Sequence, residues 1–289
     1  MKKHLCLFLV ALLPIANAVG CSSAATTDTK PADKVSNVTS AKSEHNKAES
    51  NESAPQELDQ KTTQSTLSIE KRMVRKSILN DYNATIDYNF SFVQLSGTYK
   101  GIDNINKYYS LKEKTDFFGK EYNDYFNIPN SSKDNYFFKA DFRAEAQIGD
   151  ILSISGDGDS WAGGVSNPIL YGDVFDLNTG EKLTLDDVFK VRSDEYLELI
   201  YNKITENINK EIAEGNNRYN FNDAYSEDCQ TEIKKEFKPD NFYLTDKFLV
   251  IFYPKYSLGA GAAGTFKYEI PLDLIKEKLK IETSKVRLF

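Results

Sequence analysis

Phe138, Ala140, Phe142, Ala144 and Ala146 alternate with Lys139, Asp141, Arg143 and Glu145. Successive side chains of a strand point to opposite faces, so this run predicts a strand with one apolar and one charged face. Such a strand folds only where something apolar is laid on it. Residues 193–214 supply a matching element. Leu197, Ile200, Ile204, Ile208 and Ile212 recur at three- and four-residue steps, the stripe of an amphipathic helix. Ser193 suits its N-cap, Glu195 its first turn and Gly215 its C-terminal stop.

The other elements fit the same plan. Ile86, Tyr88, Phe90 and Phe92 alternate with polar residues, a second one-faced strand. Residues 68–79 read equally as a short helix or an extended lead-in. Residues 101–127 space Ile102, Ile105, Tyr109, Phe117 and Phe118 as a helix, with a break near Gly119. Ile151 to Ser155 pairs back on the first strand. Ile169, Tyr171, Asp173 and Phe175 form the next strand, and Asn178-Thr179-Gly180 turns it into a return strand through Leu183 and Leu185. A shorter helix over 224–237, strands over 242–244, 248–253 and 266–270, and a closing helix from Pro271 complete the chain. The fold class is α+β: antiparallel sheets with the helix at about 193–214 packed on one face.

The N-terminal fifth stands outside that fold. Lys2 and Lys3 precede an apolar run from Leu5 to Ile15, and small residues lead to Cys21. This is the build of a signal peptide, too short for a permanent span. Ala18-Val19-Gly20-Cys21 resembles a bacterial lipobox, with Ala18 where Leu is commoner. The resemblance implies cleavage before Cys21 and lipid attachment there; several buried acyl chains anchor stably where one is marginal. The alternative is an ordinary secretory signal. Residues 22–66 lack aromatics and are rich in Ser, Thr, Lys, Glu and Asn, so they cannot bury enough surface to offset their ordering entropy. They read as a disordered tether with a reach of roughly 35–40 Å.

Composition removes several functions. The net charge of -7 is wrong for a nucleic-acid binder, which needs clustered Lys and Arg. The two histidines, His4 and His45, lie in the leader and the tether. A body without histidine excludes His-dependent nucleophilic catalysis and His-bearing zinc sites within it. Only Cys229 lies in the body, beside Asp228, which disfavours its thiolate. No metal site or cofactor is expected. Asp157-Gly-Asp159-Ser resembles the start of a calcium loop but lacks its third oxygen ligand, its Gly and its last acid in register, so it reads as a solvated turn. The run 259–264 is glycine-rich but lacks the Lys-Ser/Thr of a phosphate loop. Asp186-Asp187 reads as a cap ahead of Phe189 rather than an acid–base pair.

Trp161, the only Trp, beside Gly163 and Gly164, has two readings. It is core filler, or a flat face for stacking on a sugar or anchoring a partner, with glycines that let the partner close in.

Gly163-Gly164, Phe175-Asp176-Leu177, Thr179-Gly180-Glu181, Leu183, Leu185-Asp186-Asp187 and Phe189 form one spaced block. Phe252-Tyr253-Pro254, Tyr256, Gly259, Glu269-Ile270-Pro271 and Leu274 form a second. Together they resemble the extracytoplasmic domain of unknown function shared by the anti-sigma-V factor, a lysozyme receptor, and a peptidoglycan deacetylase. Residues 83–155 look like its companion module. Val165-Ser166 replaces the family's Ala-His after the Gly pair, so any role of that His is lost here. The sigma-binding segment and the deacetylase's catalytic domain are not in this sequence, so the resemblance implies the outer module alone.

The expected organisation is a lipoprotein signal over 1–21, a tether over 22–66, an N-terminal α+β module over 67–160 and a C-terminal α+β module over 161–289. The expected function is non-catalytic binding on the outer face of the bacterial cytoplasmic membrane, with lipid at Cys21 and no nucleic acid partner. The resemblance implies a cationic muramidase such as lysozyme, or peptidoglycan, as partner; Trp161, Gly163, Gly164, Tyr253 and Tyr256 are the candidate contacts. The first alternative is a His-independent wall enzyme using carboxylates such as Asp157, Asp159 or Asp186. The second is a structural envelope lipoprotein.

Overall fold

The one-faced strand forms as β3 (Tyr136–Ile148), inside a six-stranded sheet. The computed structural model describes residues 65–79, 83–117, 135–161, 164, 166–214, 229–283 and 285–289, all within the unit Lys61–Phe289. The leader with Cys21, the tether up to residue 64, Gly163, and the parts of the expected helices over 118–127 and 224–228 lie outside the described residues.

The sheet runs β1 (Leu67–Leu79), β2 (Thr85–Gly97), β3, β4 (Ile151–Trp161) and β5 (Asn167–Asp176). It thus continues across residues 160 and 161. Residues 68–79, open between helix and extended chain in the sequence, are strand, part of β1 and paired with β2 from Leu67↔Gly97 to Leu79↔Thr85. The edge strand β1 carries Lys71, Arg72, Arg75 and Lys76, charges that discourage edge-to-edge association. All neighbours are antiparallel except β2 and β3, which run parallel. A parallel pair needs a crossover, and α1 (Ile102–Lys112) lies in it. Ile102, Ile105 and Tyr109 of α1 pack with Phe92, Phe142 and Phe175 in the first core.

One extra residue in β3 decides how the two cores divide. Its register passes from Ala144↔Ile154 to Ala146↔Ser153, a β-bulge at Glu145. The Glu145 carboxylate accepts from Arg143 Nε (3.0 Å) and from the Ser155 hydroxyl. Because strand side chains alternate with period two, one added residue turns the following chain over. Phe138, Ala140 and Phe142 therefore face α1, whereas Ala146 and Ile148 enter the second core.

The second core is built on α3 (Ser193–Ala213) and a three-stranded antiparallel sheet, β6 (Phe242–Leu244), β7 (Phe248–Tyr253) and β8 (Phe266–Pro271). The long helix expected at 193–214 is present, but it covers this smaller sheet; the apolar face over 138–142 is covered by α1. Its buried residues are Tyr196, Ile200, Ile204 and Ile208, and Ile212 is exposed. Ser193 is its first helical residue, with Arg192 at the cap and no side-chain cap bond. The expected return strand ends at the bridge Phe175↔Lys182. Leu185 instead starts the single turn α2 (Leu185–Val188), where Asp187 Oδ2 accepts from Thr184 N (2.8 Å) and Thr184 Oγ1 (2.7 Å). The helix α4 (Cys229–Lys235) precedes β6, and the closing helix is the short α5 (Leu272–Ile275) with a 3-10 turn over Lys276–Lys278. A strand the sequence did not announce, β9 (Val286–Leu288), pairs with β3 over Ala146–Ile148.

The two sheets meet where β6 crosses β4 and β5. Leu244 N donates to the buried Ser153 Oγ at 2.8 Å, and a Cβ on Gly172 would overlap the Phe242 carbonyl. A second glycine contact joins the hairpin to α1. Gly180, at φ +76, lies against Gly101, so a side chain at either would enter the other's backbone. Gly180→Ala lowers stability by about 1–3 kcal/mol, from positive-φ strain and overlap together, read as a shift in the urea midpoint. An unchanged midpoint refutes the close approach.

Candidate binding site

The strand β4 ends at Trp161 and β5 starts at Asn167, beside the chain that leaves β7 through Pro254, Lys255 and Tyr256. Trp161 is half-buried: its ring lies 5.9 Å from that of Tyr136, and Nε1 donates to Gly164 O at 3.3 Å. Gly164 takes φ +100 in open space, a turn that suits glycine.

Tyr253 and Tyr256 separate. On β7, Leu249, Ile251 and Tyr253 face the second core, while Val250 and Phe252 face the other side. Tyr253 is 1% exposed and its hydroxyl donates to Ile233 O at 3.0 Å, so it is a core residue and not a ligand contact. Tyr256 is 64% exposed, at φ +73. A bulky residue there is strained, and its ring lies where a Cβ of Gly261 would stand. The Lys255 amine sits 5.0 Å from the Tyr256 ring centroid and donates to Ser166 O at 2.9 Å, tying this loop to the start of β5.

Between them lies a pocket of about 260 Å³. Pro168, Leu170, Phe252, Pro254 and Tyr256 form its apolar walls, and Asn167 and Asn241 its polar lining. Among the described residues, Lys255 is the one charged residue lining it. The sequence missed Pro168 and Leu170, although a proline at the first turns of a strand signals an edge. A wider polar groove of about 1060 Å³, near Ser65, draws on Tyr99, Asp150, Lys280, Lys285 and Arg287, residues too scattered in sequence to be read together.

Each candidate acid is engaged by another side chain. Asp157 and Asp159 lie on β4 rather than in the expected turn. Asp157 pairs with Arg143 Nη1 (2.6 Å) and Lys267 Nζ (3.3 Å). Burial alone raises this carboxyl, but bonds and charge from Arg143 and Lys267 outweigh it and hold it below the usual range. Asp159 accepts from the Ser166 hydroxyl and faces Lys139 at 3.7 Å. Asp186, on α2, accepts from the Tyr196 hydroxyl at 2.8 Å. Asp157 and Asp159 share one face of β4, Asp186 stands apart on α2, and no group of metal-ligating side chains occurs among the described residues.

A depressed carboxyl adds stability above its unfolded pKa and loses it as pH falls through the folded one. Asp141, lowered by Lys71 and Ser91 against its burial, acts with Asp157 in this sense. The melting temperature is therefore expected to drop on acidification below about pH 4, and Arg143→Met to flatten that limb in melts from pH 3 to 7. An acid limb unchanged in the variant removes Asp157 from the account.

Two sheets joined through β6, with a half-open apolar pocket at one end, define an α+β domain. Residues 186–273 match the family described as protein of unknown function (DUF3298). A solved member of that family from Bacteroides fragilis is similar in fold, with a TM-score of 0.54 at 16% identity, over 74% of this chain and 94% of that one. A DUF3298 family protein from Pseudomonas aeruginosa PAO1 aligns at 14% identity with a TM-score of 0.48, over 74% of this chain and 95% of that one. No curated protein matches the chain. No described helix is long and apolar enough to cross a membrane.

Proposed function

We propose that this chain is a lipid-anchored extracytoplasmic binding module, held at Cys21 on the outer face of the bacterial cytoplasmic membrane, whose pocket between β5 and Tyr256 takes a partner at the cell wall. The observation that carries the reading is the exposed Tyr256, kept at φ +73 beside an apolar pocket. Strain of this kind persists where surrounding structure holds it, and it clusters at binding sites. A cationic muramidase such as lysozyme is the leading partner, supported by the resemblance to the lysozyme-receptor module and by a net charge of -7. Electrostatic complementarity of that sort acts mainly on the association rate. A peptidoglycan glycan is the other candidate ligand.

Calorimetry with lysozyme at low and at physiological salt tests the partner. Binding that weakens about 10-fold or more in Tyr256→Ala supports the pocket, and no heat in either salt removes lysozyme. The anchor has its own test: the parent is expected to incorporate labelled palmitate and Cys21→Ala to lose that label, and label retained in the variant, or absent from the parent, refutes lipidation at Cys21.

A further inference from the structure

The pocket between β5 and Tyr256 sets two side-chain amides against apolar walls. Leu170 and Phe252, two of those walls, belong to one small apolar cluster. Asn241 is fixed at its root: its N–H donates to Lys238 O at 3.0 Å, and its carbonyl accepts from Phe252 N at 3.0 Å. Among the described residues no hydrogen bond reaches its side-chain amide. A half-buried amide left unpaired costs free energy, which a ligand with its own donor and acceptor recovers. Asn167, at the start of β5, brings the second amide. The one charge among the described lining residues is already engaged. The Lys255 amine donates to Ser166 O at 2.9 Å and lies 3.5 Å from Asn167 Oδ1. Asp159, opposite Pro168 at the same end, accepts from the Ser166 hydroxyl and faces Lys139 at 3.7 Å. The matching ligand is therefore neutral and carries an amide beside a small apolar group. Size limits it further: about 260 Å³ is below the ~300–1,000 Å³ typical of drug-sized ligands, room for one ring and not for a chain of them. The Tyr256 ring forms the exposed lip, and Gly261 backs it.

We propose that this pocket is an acetamide subsite: it takes one N-acetylhexosamine ring of a glycan, with the acetamide between the Asn241 amide and the walls of Leu170 and Phe252, and a C–H face of the sugar on Tyr256. An acetamide carries one N–H, one carbonyl and one methyl. The Asn241 amide supplies the complementary acceptor and donor, and the apolar walls take the methyl. A pyranose turns C–H groups to its faces, and a flat aromatic ring covers them. A site that pairs a polar group of its ligand rejects the analogue lacking that group far more strongly than an apolar site rejects a missing methylene. The acetamide therefore sets selectivity against plain glucose polymers. The inference rests on the pocket proposed above as the binding site, and takes the glycan of that reading, not the muramidase, as its occupant.

The test titrates the full chain, isotope-labelled, with triacetylchitotriose and with cellotriose, which carries hydroxyls where the first has acetamides. Chitotriose is expected to bind, to shift the Tyr256 ring resonances and to be preferred over cellotriose by about 10-fold or more. Asn241→Leu, of similar size, is expected to keep the melting temperature and to bind the two sugars alike. Tyr256→Gly, which relieves the positive φ, is expected to keep or raise the melting temperature and to lose chitotriose. Equal affinity of the parent for the two sugars, chitotriose binding that leaves Tyr256 unshifted, or a preference retained in Asn241→Leu overturns the acetamide subsite. Should Asn241→Leu melt early, the comparison of the two sugars on the parent decides alone. If neither sugar binds while lysozyme shifts Tyr256, the subsite falls and the pocket stands; if nothing shifts Tyr256, both fall.

Discussion

Replacing Asp173 by alanine is expected to cost about 3–5 kcal/mol of stability, the usual loss when one partner of a buried ion pair is removed. Asp173 is 2% exposed on β5. Its carboxylate pairs with Lys182 Nζ at 2.7 Å and accepts from Tyr108 (2.9 Å) and Tyr109 (3.1 Å). This cluster fastens α1 and the hairpin after β5 to the first sheet. Truncation leaves the Tyr109 hydroxyl in the core and an amine without its counter-ion, so desolvation is no longer offset. Lys182→Met fails for the mirror reason, a buried carboxylate left without its cation. A double variant Asp173→Leu, Lys182→Met loses less than the sum of the singles, because no charge remains buried. Urea unfolding measures all three, and single variants within 1 kcal/mol of the parent rule the network out as a support. Tyr109 adds an alkaline signature. Burial, then the Asp173 charge, pushes its hydroxyl well above the ordinary value. A raised folded pKa contributes stability below the unfolded pKa of about 10 and loses it as pH rises beyond. Stability should fall above about pH 10, less steeply in Tyr109→Phe.

Gly172→Val is expected to cost about 3 kcal/mol or more and to open the pocket. The side chain would enter the Phe242 carbonyl and the Phe252 ring. Backbone cannot turn aside as a flexible side chain does, so β6 must lift, at the upper end of overpacking costs. The bond from Leu244 N to Ser153 Oγ goes with it. Asn241, next to β6, and Phe252, on the paired strand β7, line the pocket and are joined by the bond from Phe252 N to Asn241 O (3.0 Å), so ligand binding should fall together with stability. Near-UV circular dichroism and urea unfolding report the first effect and calorimetry the second. A variant with parental stability means the sheets do not meet at Gly172.

Much of the family-like block proves to be a requirement of the fold. Phe175, Leu177, Leu185 and Phe189 are core residues. Asp176 Oδ1 accepts from Asn178 N and Thr179 N, Gly180 makes the turn against Gly101, and Asp187 closes α2. Of the five candidate contacts, Tyr256 lines the pocket, Trp161 and Gly164 form the neighbouring turn, Tyr253 is core, and Gly163 lies outside the described residues. Tyr253 and Tyr256 look alike in sequence; strand alternation buries the first, and the turn after Pro254 exposes the second.

The chain by itself determined what local rules can carry. Period-two alternation specified β2, β3, β5 and β8, and the three- and four-residue stripe specified the long helix, because those patterns follow from strand and helix geometry alone. Composition removed histidine chemistry from the body in the same direct way. Tertiary structure decided the rest. Which layer covers which face turned on one bulge residue, Glu145, whose insertion is invisible to a pattern that keeps its parity. The strand state of residues 67–79 and the existence of β9 depended on partners far along the chain. The pocket exists only because β5 and the end of β7, over 80 residues apart as Asn167 and Pro254, are brought together by β6 lying on Gly172.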